Sequence, residues 1–197
     1  MTSTRIMSMD EINHWEGLKR GEMQGLQALY DLHIKALYAY GMNLCHDPDL
    51  VQDCIHELFL GIWTNHARVT IPKSGKAYLL VSLRRRIFDP GPKSNLLTDH
   101  IEDTDINHIS ATPDHATSWI LAEDEKERQD KLEKAMNRIS DRQREIIHMK
   151  YYQQMEYEDI ARIMNLNYQS ARNLVTRALV ALRKEMIMVL VILFVGI

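Results

Sequence analysis

Cysteine, proline and glycine are all scarce, at two, five and eight in 197 residues. Two cysteines cannot build a disulfide framework, so a reducing cytoplasm is the default compartment. So few turn-forming residues exclude a sandwich or barrel with a turn every ten residues and favour long helices. Long apolar runs are missing as well. Met1 to Asp10 holds no signal-peptide core, and the uncharged stretch from Met186 to Ile197 reaches only ~18 Å as a helix, short of the roughly 20 residues a span needs. Neither a glycine-rich phosphate loop nor a nucleophile beside its base is present, so no catalytic residues, cofactor or metal are expected. The last shortage is of basic charge. With 24 Lys+Arg against 27 Asp+Glu the chain carries -3, which counts against nucleic-acid binding. What remains is ordinary globular composition, 45% hydrophobic and 26% charged, enough for one large domain or two small ones.

The net charge hides an uneven distribution. Thr98 to Asp130 holds ten acids and two bases and carries -8, which leaves the rest of the chain at +5. Pro113 and scattered polar residues without a sustained period mark the first half of this stretch as a linker. Its acids serve either solubility or a specific role, such as repelling DNA from the free protein.

In the first module, Leu26, Tyr30, Ile34, Leu37, Tyr40 and Leu44 recur at helical spacing. Asp47 is suited to cap a second helix and Pro48 to open it, with Val51, Ile55, Leu58, Phe59 and Ile62 as its apolar stripe and Trp63 at its end. Asp49, Asp53 and Glu57 align four residues apart on the other side. Like charges at that spacing repel by a few tenths of a kcal/mol per pair, and the helix dipole accounts for Asp49 but not for Glu57. Either this is a solvated acidic face or it receives a basic partner protein. A third helix, Lys76 to Phe88, turns Tyr78, Leu79, Leu83 and Ile87 inward and stops before Pro90-Gly91-Pro92. Arg84, Arg85 and Arg86 cannot all face one way on it, so at least one must run along the apolar side. With Tyr78, Phe88 and Trp63 nearby, the cluster could hold single-stranded nucleic acid by phosphate charge and base stacking.

The second module ends one helix on Leu132, Ala135, Met136 and Ile139, and Ser140 to Gln143 forms a capping box for the next, Asp141 to about Tyr152. A short helix from Tyr157 to Met164, a break at Asn165-Leu166-Asn167 and a longer helix from Tyr168 to about Glu185 have helix-turn-helix spacing. Ala161 is small enough for a close helix crossing. Asn165 suits a left-handed turn residue, and Asn167 caps the recognition helix. Tyr168, Gln169, Ser170, Arg172 and Asn173 would then be exposed, with Arg177 one turn on; Gln and Asn suit adenine edges, Arg guanine or phosphate. Ala161 to Lys184 contains five bases and no acid.

Together these residues resemble the extracytoplasmic-function RNA polymerase sigma factors. The resemblance is carried by Gly21-Glu22-Met23, Asp47-Pro48-Asp49, Glu57-Leu58-Phe59-Leu60 and Ser82 to Asp89 in the first module. In the second it is carried by Arg144-Glu145-Ile146, Tyr157-Glu158-Asp159-Ile160-Ala161 and Asn167 to Leu174, the last closest to members from Bacteroidetes-type bacteria. It implies that Asp49, Gln52, Asp53, Glu57, Leu60 and Trp63 bind core polymerase at the basic clamp of its largest subunit. Tyr78, Arg84, Arg85 and Arg86, with the loop from Thr64 to Lys73, would hold the opened minus-ten element. Tyr168, Gln169, Ser170, Arg172, Asn173 and Arg177 would read the minus-thirty-five element. The implied partners are core RNA polymerase, through that clamp and the flap of the second-largest subunit, promoter DNA and an anti-sigma factor.

The expected fold is all-α, two small helical domains joined by an acidic linker, the second containing the helix-turn-helix. The expected divisions are 15–92 for polymerase binding and melting, 93–122 for the linker, 123–185 for duplex reading and 186–197 for an apolar tail expected to pack on the second module. Two rival readings remain. One is a helix-turn-helix regulator that binds duplex operators without polymerase. The other collects Cys45, His46, Cys54 and His56 into a metal site, against which core cysteines are the commoner explanation.

Overall fold

The computed structural model describes residues 7–88 and 131–195, with side chains as far as Ile187 in the last helix. Pro90-Gly91-Pro92 and the acidic linker lie outside the described residues. Every regular element described is helical, and the chain divides into two compact units.

The first unit begins with a helix that the expected boundary at residue 15 cuts in half. This is α1, Met9–Lys19, capped by Ser8, whose hydroxyl accepts from the Glu11 N–H at 3.1 Å. Trp15 and Leu18 are its fully buried anchors. After a turn through Gly21, at φ 80°, α2 runs Met23–Cys45. Its buried face consists of Gly25, Leu29, His33, Leu37, Tyr40 and Gly41; Leu37 and Tyr40 are buried as expected, but the first half of the face is rotated from the expected stripe, so that Leu26 and Ile34, like Leu44, are only half-buried and Tyr30 is exposed. The reason is α1. A Cβ on Gly25 would stand 2.5 Å from the Leu18 nitrogen and 2.6 Å from the His14 carbonyl oxygen, so α1 crosses where only glycine fits. His33 is on the same face, its Nε2 3.0 Å from Glu11 Oε1.

His46 leaves α2 in the left-handed conformation, at φ 54°. Asp47 then caps α3, Pro48–Thr64, its carboxylate accepting from the N–H groups of Asp49 and Leu50 at 3.1 and 3.0 Å. Val51, Ile55, Leu58, Phe59 and Ile62 are all buried, as their spacing predicts, and Cys54 joins them. A 3-10 turn at His66–Arg68 leads toward α4, Gly75–Phe88, whose Leu79, Leu80, Leu83 and Ile87 complete this core.

In the second unit, α5 (131–136) is followed by the Ser140–Gln143 capping box with both of its bonds formed, opening α6, Asp141–Ile147. The expected α-helix to Tyr152 does not continue regularly, since His148–Tyr152 widens into a π-turn. Helices α7, Tyr157–Ile163, and α8, Tyr168–Val195, follow. Asn165 adopts φ 52°, the left-handed turn residue expected there. The apolar tail continues α8 as helix as far as Val195, and its first side chains, Met186 and Ile187, are 38% and 55% exposed; the side chains beyond Ile187, on which the expected packing turns, lie outside the described residues.

The close crossing of α1 and α2 sets the first prediction. Helix propensity alone favours Gly25→Ala by about 1 kcal/mol, yet overpacking at this contact makes the variant about 1–3 kcal/mol less stable, read from its urea midpoint. An unchanged or raised midpoint contradicts the crossing.

Candidate polymerase and nucleic-acid interfaces

One side of α3 is built for contact. Burial of its apolar stripe turns Asp49, Gln52, Asp53, Glu57 and Leu60 outward together, and Leu60 is 55% exposed. Trp63, half-buried at the end of the helix, stacks on His66 at 5.3 Å, and the His66 ring bonds the Trp63 carbonyl at 2.8 Å. The result is a line of carboxylates beside a protruding leucine and an anchored indole, a surface suited to a basic, partly apolar partner.

The arginine cluster on α4 divides as the helical geometry requires. Arg86 is the inward member, its side chain 14% exposed and its guanidinium 3.3 Å from the Glu57 carboxylate. Arg84 lies 5.0 Å over the Phe88 ring, and Arg85 points to solvent. Tyr78 is half-buried with its ring 5.6 Å from Trp15, perpendicular to it at 86°, and burial pushes its phenol pKa up. Trp63 is not brought into an aromatic pair with Tyr78 or Phe88 in any described contact; its ring partner is His66. The sequence treats Glu57 and Arg86 as members of separate surfaces, whereas the fold joins them in one ion pair.

In the second unit, Asn167 Oδ1 accepts from the Ser170 N–H at 2.7 Å and caps α8 as its sequence position predicts. The cap fixes the helix start, so that Tyr168, Gln169, Arg172, Asn173 and Arg177 are exposed and Ser170 is half-buried. Gln169 donates to Asn173 at 3.1 Å, and the Arg172 guanidinium stands 5.9 Å from the Tyr168 ring centre. Four polar or cationic side chains thus lie near the positive end of a long helix, an arrangement that attracts a polyanion and offers hydrogen bonds to base edges.

Two features escape the sequence patterns. Lys150 and Tyr157 join this surface from outside the recognition helix, Lys150 standing 4.5 Å over the Tyr157 ring and Tyr157 5.9 Å from Tyr168. The signal available was the tyrosine that opens each helix of the helix-turn-helix. Leu179 and Leu182, on the apolar side of α8, help line an apolar groove of about 310 Å³ with Leu132, Met136, Ile147, Tyr151 and Tyr152. Helical period cannot separate a core face from an open apolar face.

No group of three potential metal ligands occurs among the described residues. Cys45 and Cys54 are thiols whose pKa burial pushes up, and Cys45 donates to the Gly41 carbonyl at 3.4 Å.

The two surfaces coincide with two family matches. Residues 29–90 match the model of sigma-70 region 2, and residues 129–182 match that of sigma-70 region 4. The extracytoplasmic-function RNA polymerase sigma factor SigK of Mycobacterium sp. strain KMS is 22% identical over 154 residues, 77% of this chain and 78% of that protein. SigK of Mycolicibacterium vanbaalenii is 23% identical over 165 residues, 83% and 82% of the two chains. The fold is similar to that of the sigma factor RpoE crystallised with the anti-sigma factor NepR from Bartonella quintana, at TM-score 0.55 and 22% identity, covering 81% of this chain and 95% of that one. The region 2 and region 4 models together take in more than half of the chain, which belongs to the sigma-70 family as an extracytoplasmic-function RNA polymerase sigma factor. Such a factor is a non-enzymatic component that binds core polymerase and promoter DNA and directs promoter-specific initiation.

Asn167→Ala removes the cap that sets the start of the reading helix. It should cost about 1 kcal/mol in the second unit, seen as earlier melting of that unit in hydrogen exchange. Unchanged protection across Tyr168 to Ala171 would show that the cap is dispensable.

Proposed function

We propose that the residues follow the division of labour their surfaces suggest. Residues 15–92, together with α1, serve core binding and minus-ten melting; residues 123–185 read the minus-thirty-five element across the linker 93–122. Asp49, Gln52, Asp53, Glu57, Leu60 and Trp63 contact the basic clamp of the largest polymerase subunit, and the second unit takes a further contact on the flap of the second-largest. Tyr78, Arg84, Arg85 and Arg86 hold phosphates and unstacked bases of the opened minus-ten element. Of these, Arg85 and Arg84 offer the accessible charge, while Arg86 and Tyr78 support them from within. Tyr168, Gln169, Ser170, Arg172, Asn173 and Arg177 read the duplex.

The observation that carries this reading is the presence in one chain of an exposed carboxylate line and a recognition helix free of acid from Tyr168 to Lys184. A duplex-binding regulator acting alone has no use for the first. Strand opening follows from differential affinity, since a surface that binds only unpaired bases shifts the equilibrium toward the melted state. Polymerase tethers both DNA-binding units near the promoter, which raises the effective concentration of two individually weak contacts. The factor works in the cytoplasm, where polymerase and promoter meet, under an anti-sigma factor; the wording of Asn167 to Leu174 favours a Bacteroidetes-type source. No helix among the described residues is long and apolar enough to cross a membrane, which is compatible with that placement.

Run-off transcription with purified core enzyme tests the reading. Asp53→Lys should weaken core binding about tenfold or more, because it places a cation against a basic clamp, and abolish promoter-specific transcripts while the protein melts normally. A tight gel shift by the chain alone, with no core-dependent transcript, would support the operator-binding regulator instead.

A further inference from the structure

Two residues outside every expected site, Lys150 and Tyr157, join Tyr168 and Arg172 of the reading surface in a ladder of two rings flanked by two cations. It runs Lys150, Tyr157, Tyr168, Arg172, with successive separations of 4.5, 5.9 and 5.9 Å, and ends on a side chain proposed above to read a base. The two tyrosines are nearly perpendicular, at 73°, the geometry that aromatic quadrupoles prefer.

The lower end of the ladder is anchored by unusual backbone. Lys150 sits within the π-turn, where Gln153 N–H reaches back to the His148 carbonyl at 2.9 Å and Met155 N–H to the Met149 carbonyl at 3.0 Å. Gln154 takes φ 53° to make that return. The Lys150 ammonium then donates to the Met155 carbonyl at 3.0 Å and stands 3.9 Å from the Glu156 carboxylate. The segment just ahead of α7 is therefore tied to the π-turn, and Tyr157, the first residue of α7, is tied with it. Lys150 is committed to these contacts and only 25% exposed as a side chain, a poor posture for a phosphate contact.

From this we infer that Tyr157 and Lys150 are positioning residues for specificity. Lys150 fixes the Tyr157 ring, Tyr157 fixes Tyr168 at its edge, and the face of Tyr168 restricts the exposed Arg172 to the orientations that meet a base pair. An arginine that would otherwise lose several rotatable bonds on docking is partly ordered beforehand, so more of its hydrogen-bond energy appears as discrimination. The inference rests on the proposed role of Arg172 in duplex reading.

The test uses the full chain with core polymerase on a promoter selected by the wild-type holoenzyme from a library randomised in the minus-thirty-five element. All single-base-pair variants of that element are then compared in competition. Arg172→Ala first identifies the base pair whose discrimination collapses; if none does, the reading assigned to Arg172 fails, independently of the ladder. At that base pair, Tyr157→Leu and Lys150→Met should each lower discrimination about two- to tenfold, the range expected for losing one aromatic or cation–ring contact. Tyr157→Phe should restore it. Combined with Arg172→Ala, neither should lower it further, and Tyr157→Leu and Lys150→Met alone should keep the wild-type dependence of affinity on salt. Lys150→Met serves where Tyr157→Leu fails to fold. The proposal is overturned if losses are uniform across promoter variants, if they add to that of Arg172→Ala, or if Lys150→Met lowers the salt slope by about one charge, the signature of a phosphate contact.

Discussion

A protein that grips both DNA and a basic protein surface has to keep its acids and bases apart. Coulomb energy between surface charges falls off within about a Debye length, roughly 8 Å at physiological salt. A carboxylate near the start of the reading helix would therefore oppose docking directly, while one more than a Debye length away would barely be felt. The chain meets this constraint locally. Its overall charge of -3 coexists with a stretch from Ala161 to Lys184 that contains five bases and no acid. The exposed carboxylates of Asp49, Asp53 and Glu57 lie on α3, away from that stretch in the sequence.

Within the first unit's proposed interfaces the two signs meet in the Glu57–Arg86 pair. Exposed on one side and largely covered on the other, it is not a major source of stability by the usual standard for such pairs. Its effect is to orient. Arg86 satisfies part of its charge without leaving the apolar side of α4, and its engagement leaves Arg85 as the most exposed cation of the cluster. The carboxylate line of α3 is correspondingly tempered at Glu57, so Asp49 and Asp53 carry its net charge. The proposed melting and polymerase surfaces are thus adjacent, with one ion pair shared between them.

Features set by a few neighbouring residues are legible in the sequence alone. The Asp47-Pro48 start of α3, the Ser140–Gln143 box, the left-handed Asn165 and the Asn167 cap all follow from local hydrogen-bonding geometry. So does the burial of the α3 stripe, where period and packing agree. What the sequence hides depends on a partner element. Helix α1 has only Trp15 and Leu18 as strong anchors, so its apolar period is thin, although Ser8 and Glu11 have the spacing of a capping box. Without α1, nothing reveals that Gly25 and His33 face inward, and the first half of the α2 stripe is read one step off, while Leu37 and Tyr40 are read correctly. The π-turn is equally hidden, because its bonds from Gln153 and Met155 depend on a return of the chain rather than on any residue pattern. The carboxylate line, the arginine cluster and the exposed face of α8 are all visible in residue spacing. Their internal couplings, Glu57 with Arg86 and Lys150 through Tyr157 to Arg172, are not.

The central claim is that the arginines of α4 act on the opened state of DNA while the reading helix acts on the duplex. Transcription from a template whose minus-ten element is already unpaired separates the two most directly. With an Arg84→Ala/Arg85→Ala double variant, the account predicts a large loss on the fully paired promoter and substantial recovery on the pre-opened one, with no comparable recovery for Arg172→Ala. Equal losses on both templates for the α4 variant, or recovery of the Arg172 variant to the same degree, would contradict it.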